Sequence, residues 1–225
     1  MSWLEDALTN RVITEQLPEA TLETIYMSGL SSLLTVLLGL PLGLALVATG
    51  PGGLRPSRVV NAALAVVVNV GRSFPFIILM IAILPLTRLL TGTTYGWESA
   101  VVPLTLGAVP FFARLVETAV RDVSAGKVEA AQMVGASRLA IVGGVLVREA
   151  LPAIVGGITV TVITLIGYSA MAGALGAGGL GALAINHGYN RFQTDVMVVT
   201  VVVIIVLVQL VQMLGDRVAR LVDHR

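Results

Sequence analysis

The 225-residue chain has no cysteine, one lysine, two histidines and few charges, only 12% of its residues being Asp, Glu, Lys or Arg. Each shortage excludes something. Without cysteine there is no disulfide, no zinc-thiolate centre and no thiol nucleophile. His187 and His224 are isolated in the sequence, whereas a metal site needs several convergent donors, so both read as polar loop or tail residues. The one lysine, Lys127, belongs to no GxxxxGK[ST] sequence, which removes phosphate-loop ATP hydrolysis from the chain itself. No Ser/His/Asp grouping is suggested by position, and the charge-free parts of the apolar runs hold no paired carboxylates. A net charge of +1 leaves no electrostatic footprint for nucleic acid. The opening MSWLEDALTN lacks a basic region and a short apolar core ahead of a small-residue cleavage site, so it reads as a short amphipathic lead-in and not a cleaved signal.

What is present is apolar sequence, 56% of the chain, too much for the polar surface of a soluble domain of this size. A helix needs about 20 apolar residues to cross a bilayer, and its backbone must be hydrogen-bonded internally. Spans are expected at about 21–49, 59–86, 99–121, 151–175 and 195–215. The third has a short charge-free stretch, Ala100 to Ala113, which Leu115, Val116, Ala119 and Val120 extend along a tilted helix. The expected fold is an all-α integral membrane protein with five transmembrane helices in one domain, residues 1–225.

Five spans put the termini on opposite sides, and basic residues choose the orientation. With the N-terminus outside, the cytoplasmic segments carry Arg55, Arg58, Arg114, Arg121, Lys127, Arg138, Arg148, Arg217, Arg220 and Arg225, against Arg11, Arg88 and Arg191 on the other side. The C-terminus and the segment at about 124–149 are therefore expected in the cytoplasm. Arg72 is the charge left inside an apolar span, where it costs at least about 2.5 kcal/mol unless it faces protein or water or snorkels. Two roles are open to it: bonding to Asn69 or to carbonyls freed by Pro75, or lining a pathway. One such charge, with no intramembrane Asp or Glu expected, gives proton- or sodium-coupled transport little to work with.

Small residues recur on the first span (Gly29, Ser31, Ser32, Thr35, Gly39, Gly43) and the fourth (Gly156, Gly157, Thr161, Thr164, Gly167), which favours close helix packing. Pro41, Pro75, Pro85, Pro103 and Pro110 interrupt backbone hydrogen bonding where helices can bend around a cavity. Gly176, Gly178 and Gly181 spell GxGxxG, but no strand precedes them, so they read as a flexible turn between the fourth and fifth spans and not as a dinucleotide site.

Between the third and fourth spans lies a polar, glycine-broken insert, EAAQMVGASRLAIVGGVLVREALP, Glu129 to Pro152. Nine charged residues fall between Arg114 and Glu149, more than a simple connection needs. Two short helices are expected: one over Lys127 to Val134 ended by Gly135 in the left-handed conformation, and a second capped by Ser137 and running to about Ala150, with Pro152 opening the next span.

Glu129, Ala130, Ala131 and Gly135 match the EAA motif of permease subunits of ABC importers. Val145 fills that motif's aliphatic position, while Val147 and Arg148 stand where the family has Leu-Pro. The runs NVGRSFPFIIL, VPLTLGAVPFFARLVE and TLIGYSAMAGALGAGGLG narrow the resemblance to methionine-import permeases, over about Glu19 to Arg220. The resemblance implies a type I importer permease in the bacterial inner membrane, working by alternating access as a homodimer. Two cytoplasmic ABC ATPase subunits and an extracytoplasmic solute-binding lipoprotein would be its partners. ATP and Mg would act on the ATPase, with no cofactor or metal on this chain. It further implies that Glu129, Ala130, Ala131, Met133, Gly135 and Ala136 couple to the ATPase, and that Tyr168, Ser169 and Met171 lie along the translocation path, to which Arg72 is added on its charge alone. A permease for another solute, a secondary transporter or channel, and a membrane scaffold are the alternatives.

Overall fold

A computed structural model describes residues 9–223, so the expected lead-in falls almost wholly outside the described residues, as do His224 and Arg225. Among the described residues all regular structure is helical: α1 Leu17–Thr49, α2 Arg58–Ser73, α3 Phe76–Ala82, α4 Leu84–Thr91, α5 Trp97–Arg121, α6 Ala125–Met133, α7 Arg138–Ile141, α8 Arg148–Ala172, α9 Gly179–Leu183 and α10 Thr194–Val222. Wide π-helical turns at Val12–Gln16, Val142–Val147, Gly173–Ala177 and Ala184–Tyr189 join or extend them. Four continuous helical stretches are long and apolar enough to cross a membrane, Val12–Thr49, Trp97–Arg121, Arg138–Ala177 and Thr194–Val222, and a bent pair makes a fifth candidate.

That bent pair corrects the second expected span. Residues 59–86 are not one helix: α2 stops at Ser73 and α3 begins at Phe76. Pro75 has no N–H to continue α2 and disfavours helical geometry at Phe74, and its own ψ of 128° starts a new helix. A second break at Ile83 separates α3 from α4. The fourth span is corrected the other way. The insert's second helix and the expected span at 151–175 form one continuous helical stretch from Arg138 to Ala172. Pro152 sits inside α8, not at its first position, one turn beyond the π-helical stretch Val142–Val147.

The residues fall into two compact units, each built from three stretches of chain. One comprises residues 34–73, 108–161 and the C-terminal part from 213. There Leu46, Val68 and Ala113 pack together from α1, α2 and α5. A Cβ at Gly43 would stand 2.6 Å from the Ala113 carbonyl oxygen, so the glycine lets α1 and α5 touch backbone to backbone. Asn61 donates to the Leu46 carbonyl at 2.8 Å, fixing the start of α2 to the end of α1.

The other unit holds the N-terminal residues through Leu33, 74–107 and 162–212. Its buried cluster is Ala20, Leu180, Leu183 and Val196, and Tyr26 meets Trp97 with ring centroids 5.6 Å apart. Along α10, Val202, Ile205, Val206 and Leu210 are exposed. An apolar face of this kind suits lipid, where a helix with its backbone bonded internally needs no polar cover.

Candidate functional site

Most residues of α6 and of the turn into α7 are exposed. In α6, Val128 and Ala131 turn inward against the cluster formed by Phe112, Val116, Val120, Ile141, Leu146 and Ala150. Gly135 ends the helix with φ of 76°. The Gly135 N–H donates to the Gln132 carbonyl at 3.0 Å and the Ala136 N–H to the Ala131 carbonyl at 3.0 Å, the paired bonds of a Schellman stop. Ser137 then caps α7, its hydroxyl accepting from the Ala140 N–H at 3.3 Å. Gly135 therefore takes the left-handed position and Ser137 the capping position that the sequence suggests. The second helix does not end near Ala150 as expected, since α7 passes through the π-helical stretch after Ile141 into α8.

This geometry sorts the motif by face. Ala131 and Ala136 pack against the cluster, whereas Glu129 and Ala130 are exposed and Met133 is 88% exposed. Val134 and Leu139, 82% and 85% exposed, join Met133 around the Gly135 turn. Apolar side chains this exposed at a tight turn, in a segment rich in charge, form a knob suited to a partner's groove. Val134 and Leu139 escaped the sequence reading, although an aliphatic residue on either side of the Gly135–Ser137 turn was the available signal. Beside the knob, a cleft of about 530 Å³ is lined by Glu129, Gln132, Val128, Arg121 and the Gly50–Leu54 loop.

At the base of the insert, Glu117 corrects the expectation that the spans carry no carboxylate of note. It is 3% exposed. One carboxylate oxygen meets Arg114 at 2.6 Å and the other Arg121 at 2.7 Å. Arg114 also donates to the Asn69 Oδ1 at 2.6 Å, linking α5 to α2. A buried carboxylate held on both sides braces the structure and is poorly placed to shuttle ions. Lys127 and Glu149 form a further ion pair between α6 and the start of α8. The Asn69 oxygen that the sequence offered to Arg72 is thus occupied by Arg114. Arg72 itself is exposed in the last turn of α2, next to the Pro75 break.

The other sequence-selected group lies at the end of α8. Tyr168 stacks on Phe76 with centroids 4.4 Å apart and planes 4° apart, so the first ring after the Pro75 break rests on α8. Such a pair is worth about 0.5–1.5 kcal/mol beyond area burial. Met171 is 48% exposed. Ser169 is buried, its hydroxyl donating to the Ile166 carbonyl at 2.7 Å within its own helix. Phe76, unmarked in the sequence reading, is brought to Tyr168 only by folding. The three-residue spacing puts Tyr168 and Met171 near one helical face, with Tyr168 supported and Met171 unsupported.

Residues 36–225 match the family described as the binding-protein-dependent transport system inner membrane component. The chain belongs to this family. It is therefore an inner-membrane transport permease component of the ABC-importer type, all-α and multi-pass. Among the relatives of this permease, a probable D-methionine transport system permease protein MetI of Vibrio cholerae is 50% identical over 206 residues, covering 92% of each chain. The methionine import system permease protein MetP of Bacillus subtilis is 45% identical over 210 residues, 93% of this permease and 95% of that protein. A solved structure of the MetNI methionine ABC transporter in an inward-facing conformation superposes with a TM-score of 0.91 at 41% identity, covering 96% of this permease and all of that chain.

Proposed function

We propose that the chain is the membrane-spanning subunit of an ATP-driven importer that carries methionine, L- or D-, and its derivatives across the inner membrane. The observation that carries this reading is the match to methionine permeases over more than nine-tenths of the chain, at 45–50% identity. The chain works as a homodimer with two cytoplasmic ATPase subunits and an extracytoplasmic binding protein. It performs no chemistry of its own. ATP and Mg act on the ATPase, and this chain converts the ATPase movement into access of the path to one side or the other.

The N-terminus lies outside and the insert in the cytoplasm, as the distribution of basic residues requires. The knob of Met133, Val134 and Leu139 around Gly135, with Glu129 and Ala130 on the exposed face and Ala131 and Ala136 as its inward anchor, is the part the ATPase holds. ATP binding draws the paired ATPases together, and the knobs travel with them. Each knob is rooted in the α5 cluster and cannot slide freely over it, so α5 moves as well. Tyr168 and Met171 close the path near its axis, with Ser169 as their buried support and Arg72 lining the path near the break in the second span.

A secondary transporter would need an ion site within the spans. Among the described residues the buried carboxylate, Glu117, has both oxygens committed to arginines, which favours the importer. The test is growth of a methionine auxotroph lacking its own methionine importer. Growth on D-methionine is expected when this chain is expressed with its ATPase and binding protein, and none when the ATPase is omitted. Growth without the ATPase would overturn the reading.

A further inference from the structure

The segment after Met171 is built with almost no slack. The π-helical turn Gly173–Ala177 leads through Gly176, Gly178 and Gly179, all at positive φ, and α9 then folds back along the end of α8. The contact is backbone on backbone. A Cβ at Gly173 would stand 2.4 Å from the Ala182 nitrogen, and one at Gly181 would stand 2.3 Å from the Ala170 carbonyl oxygen. With no flexible side chains between them, the end of α8 cannot turn or shift unless α9 moves too.

Far earlier in the chain, α1 reaches α9. The Glu23 carboxylate accepts from the Gly179 N–H at 2.6 Å, and the Thr24 hydroxyl accepts from the Leu180 N–H at 2.9 Å. Thr24 passes its own proton to the Ala20 carbonyl at 3.0 Å. A Cβ at Gly178 would stand 2.6 Å from the same Glu23 oxygen, so this stretch of main chain is fitted to the carboxylate. On its other side the turn is held by the Gly96 N–H, which donates to the Gly176 carbonyl at 3.0 Å. A cleft of about 330 Å³ lined by Gln16, Glu19, Glu23, Asn186 and His187 lies alongside.

We infer that Glu23, assisted by Thr24, is a positioning residue for transport. It fixes the glycine-rich return 173–183 to the first helix and so sets the closed position of Tyr168 and Met171. This rests on the gate reading above. The charge-assisted bond from Gly179 is the stronger of the two, and losing it frees α9, and with α9 the end of α8.

The test uses the whole transporter, with ATPase and binding protein, in proteoliposomes. Hydrogen exchange of a peptide covering 173–183 is expected to quicken about tenfold in Glu23→Ala, the factor that loss of one hydrogen bond to a charged group implies. A smaller rise, about threefold, is expected in Glu23→Gln, whose neutral amide oxygen keeps roughly half the bond. Thr24→Val, nearly isosteric, serves as a second route should Glu23→Ala assemble poorly, and it is expected to raise exchange severalfold. Labelled methionine should leak without ATP through Glu23→Ala and Thr24→Val and much less through Glu23→Gln. Unchanged exchange in Glu23→Ala and Thr24→Val overturns the inference. So does an ATP-free leak in Tyr168→Ala/Met171→Ala that both latch variants lack. If the Tyr168→Ala/Met171→Ala variant is itself tight, the gate reading falls, and exchange alone then decides whether Glu23 positions the return.

Discussion

Gly135 offers a graded test of the insert, because alanine and proline perturb the same turn by different amounts. At φ of 76° an L-residue costs about 1 kcal/mol or somewhat more in backbone energy. Nothing lies within 4 Å of a Cβ placed at 135, so alanine adds no clash, and the equilibrium constant for forming the turn should fall about fivefold. Proline is worse on two counts. Its φ is fixed near −65°, and it has no N–H for the Gln132 carbonyl. The Ala136 to Ala131 bond depends on the same turn and fails with it. At about 1 kcal/mol for each lost bond, added to the conformational conflict, the native turn is disfavoured by on the order of 3 kcal/mol or more, over a hundredfold. The cluster of Phe112, Val116 and Ile141 lies outside the turn and should hold the rest of the unit together. The assay is binding of each variant, in nanodiscs, to immobilised ATPase, with thermal unfolding followed in parallel. Affinity is expected to fall by at most about fivefold for Gly135→Ala and far more, up to on the order of a hundredfold, for Gly135→Pro, with little change in unfolding temperature. Parental affinity and coupled uptake in Gly135→Pro would refute the reasoning.

Three further outcomes follow from the same geometry. Cysteines placed singly at Ser137 and Asn190 in this cysteine-free chain should react with an impermeant thiol reagent from opposite sides of the membrane, and labelling of both from outside would contradict the orientation. The double variant Tyr168→Ala/Met171→Ala should pass methionine without ATP while assembling normally, whereas poor assembly without a leak would mark these residues as packing only. Glu117→Ala leaves Arg114 and Arg121 without their shared partner, but Arg121 is 54% exposed and open to water, so the permease should be destabilised by about 1–2 kcal/mol. An unfolding temperature equal to the parent's would show that the carboxylate braces nothing.

The spans were legible because apolar length is written in one dimension. Their interruptions were less so. Pro75 was visible, yet the apolar run continues on both sides of it, and hydropathy does not register a broken backbone. Pro152 suggested a boundary where the structure has a continuous helix, because a π-helical turn keeps the chain helical ahead of the proline. The Gly135 stop and the Ser137 cap were readable, since capping is a local matter of a few neighbouring residues. Arg114 with Asn69, Phe76 with Tyr168, and Glu23 with Gly179 were not readable, since each pairs residues that only folding brings together. Val134 and Leu139 were passed over because an aliphatic residue in a helix is assumed to be buried, and their exposure emerges only once Val128 and Ala131 are seen to occupy the inward face.

The most direct test of the account is uptake of labelled L- and D-methionine by proteoliposomes holding this chain, its ATPase and its binding protein. Accumulation that needs ATP and all three components is the predicted result. Methionine entry that proceeds equally well without the ATPase, or ATP hydrolysis by the complete assembly with no methionine carried, would contradict it.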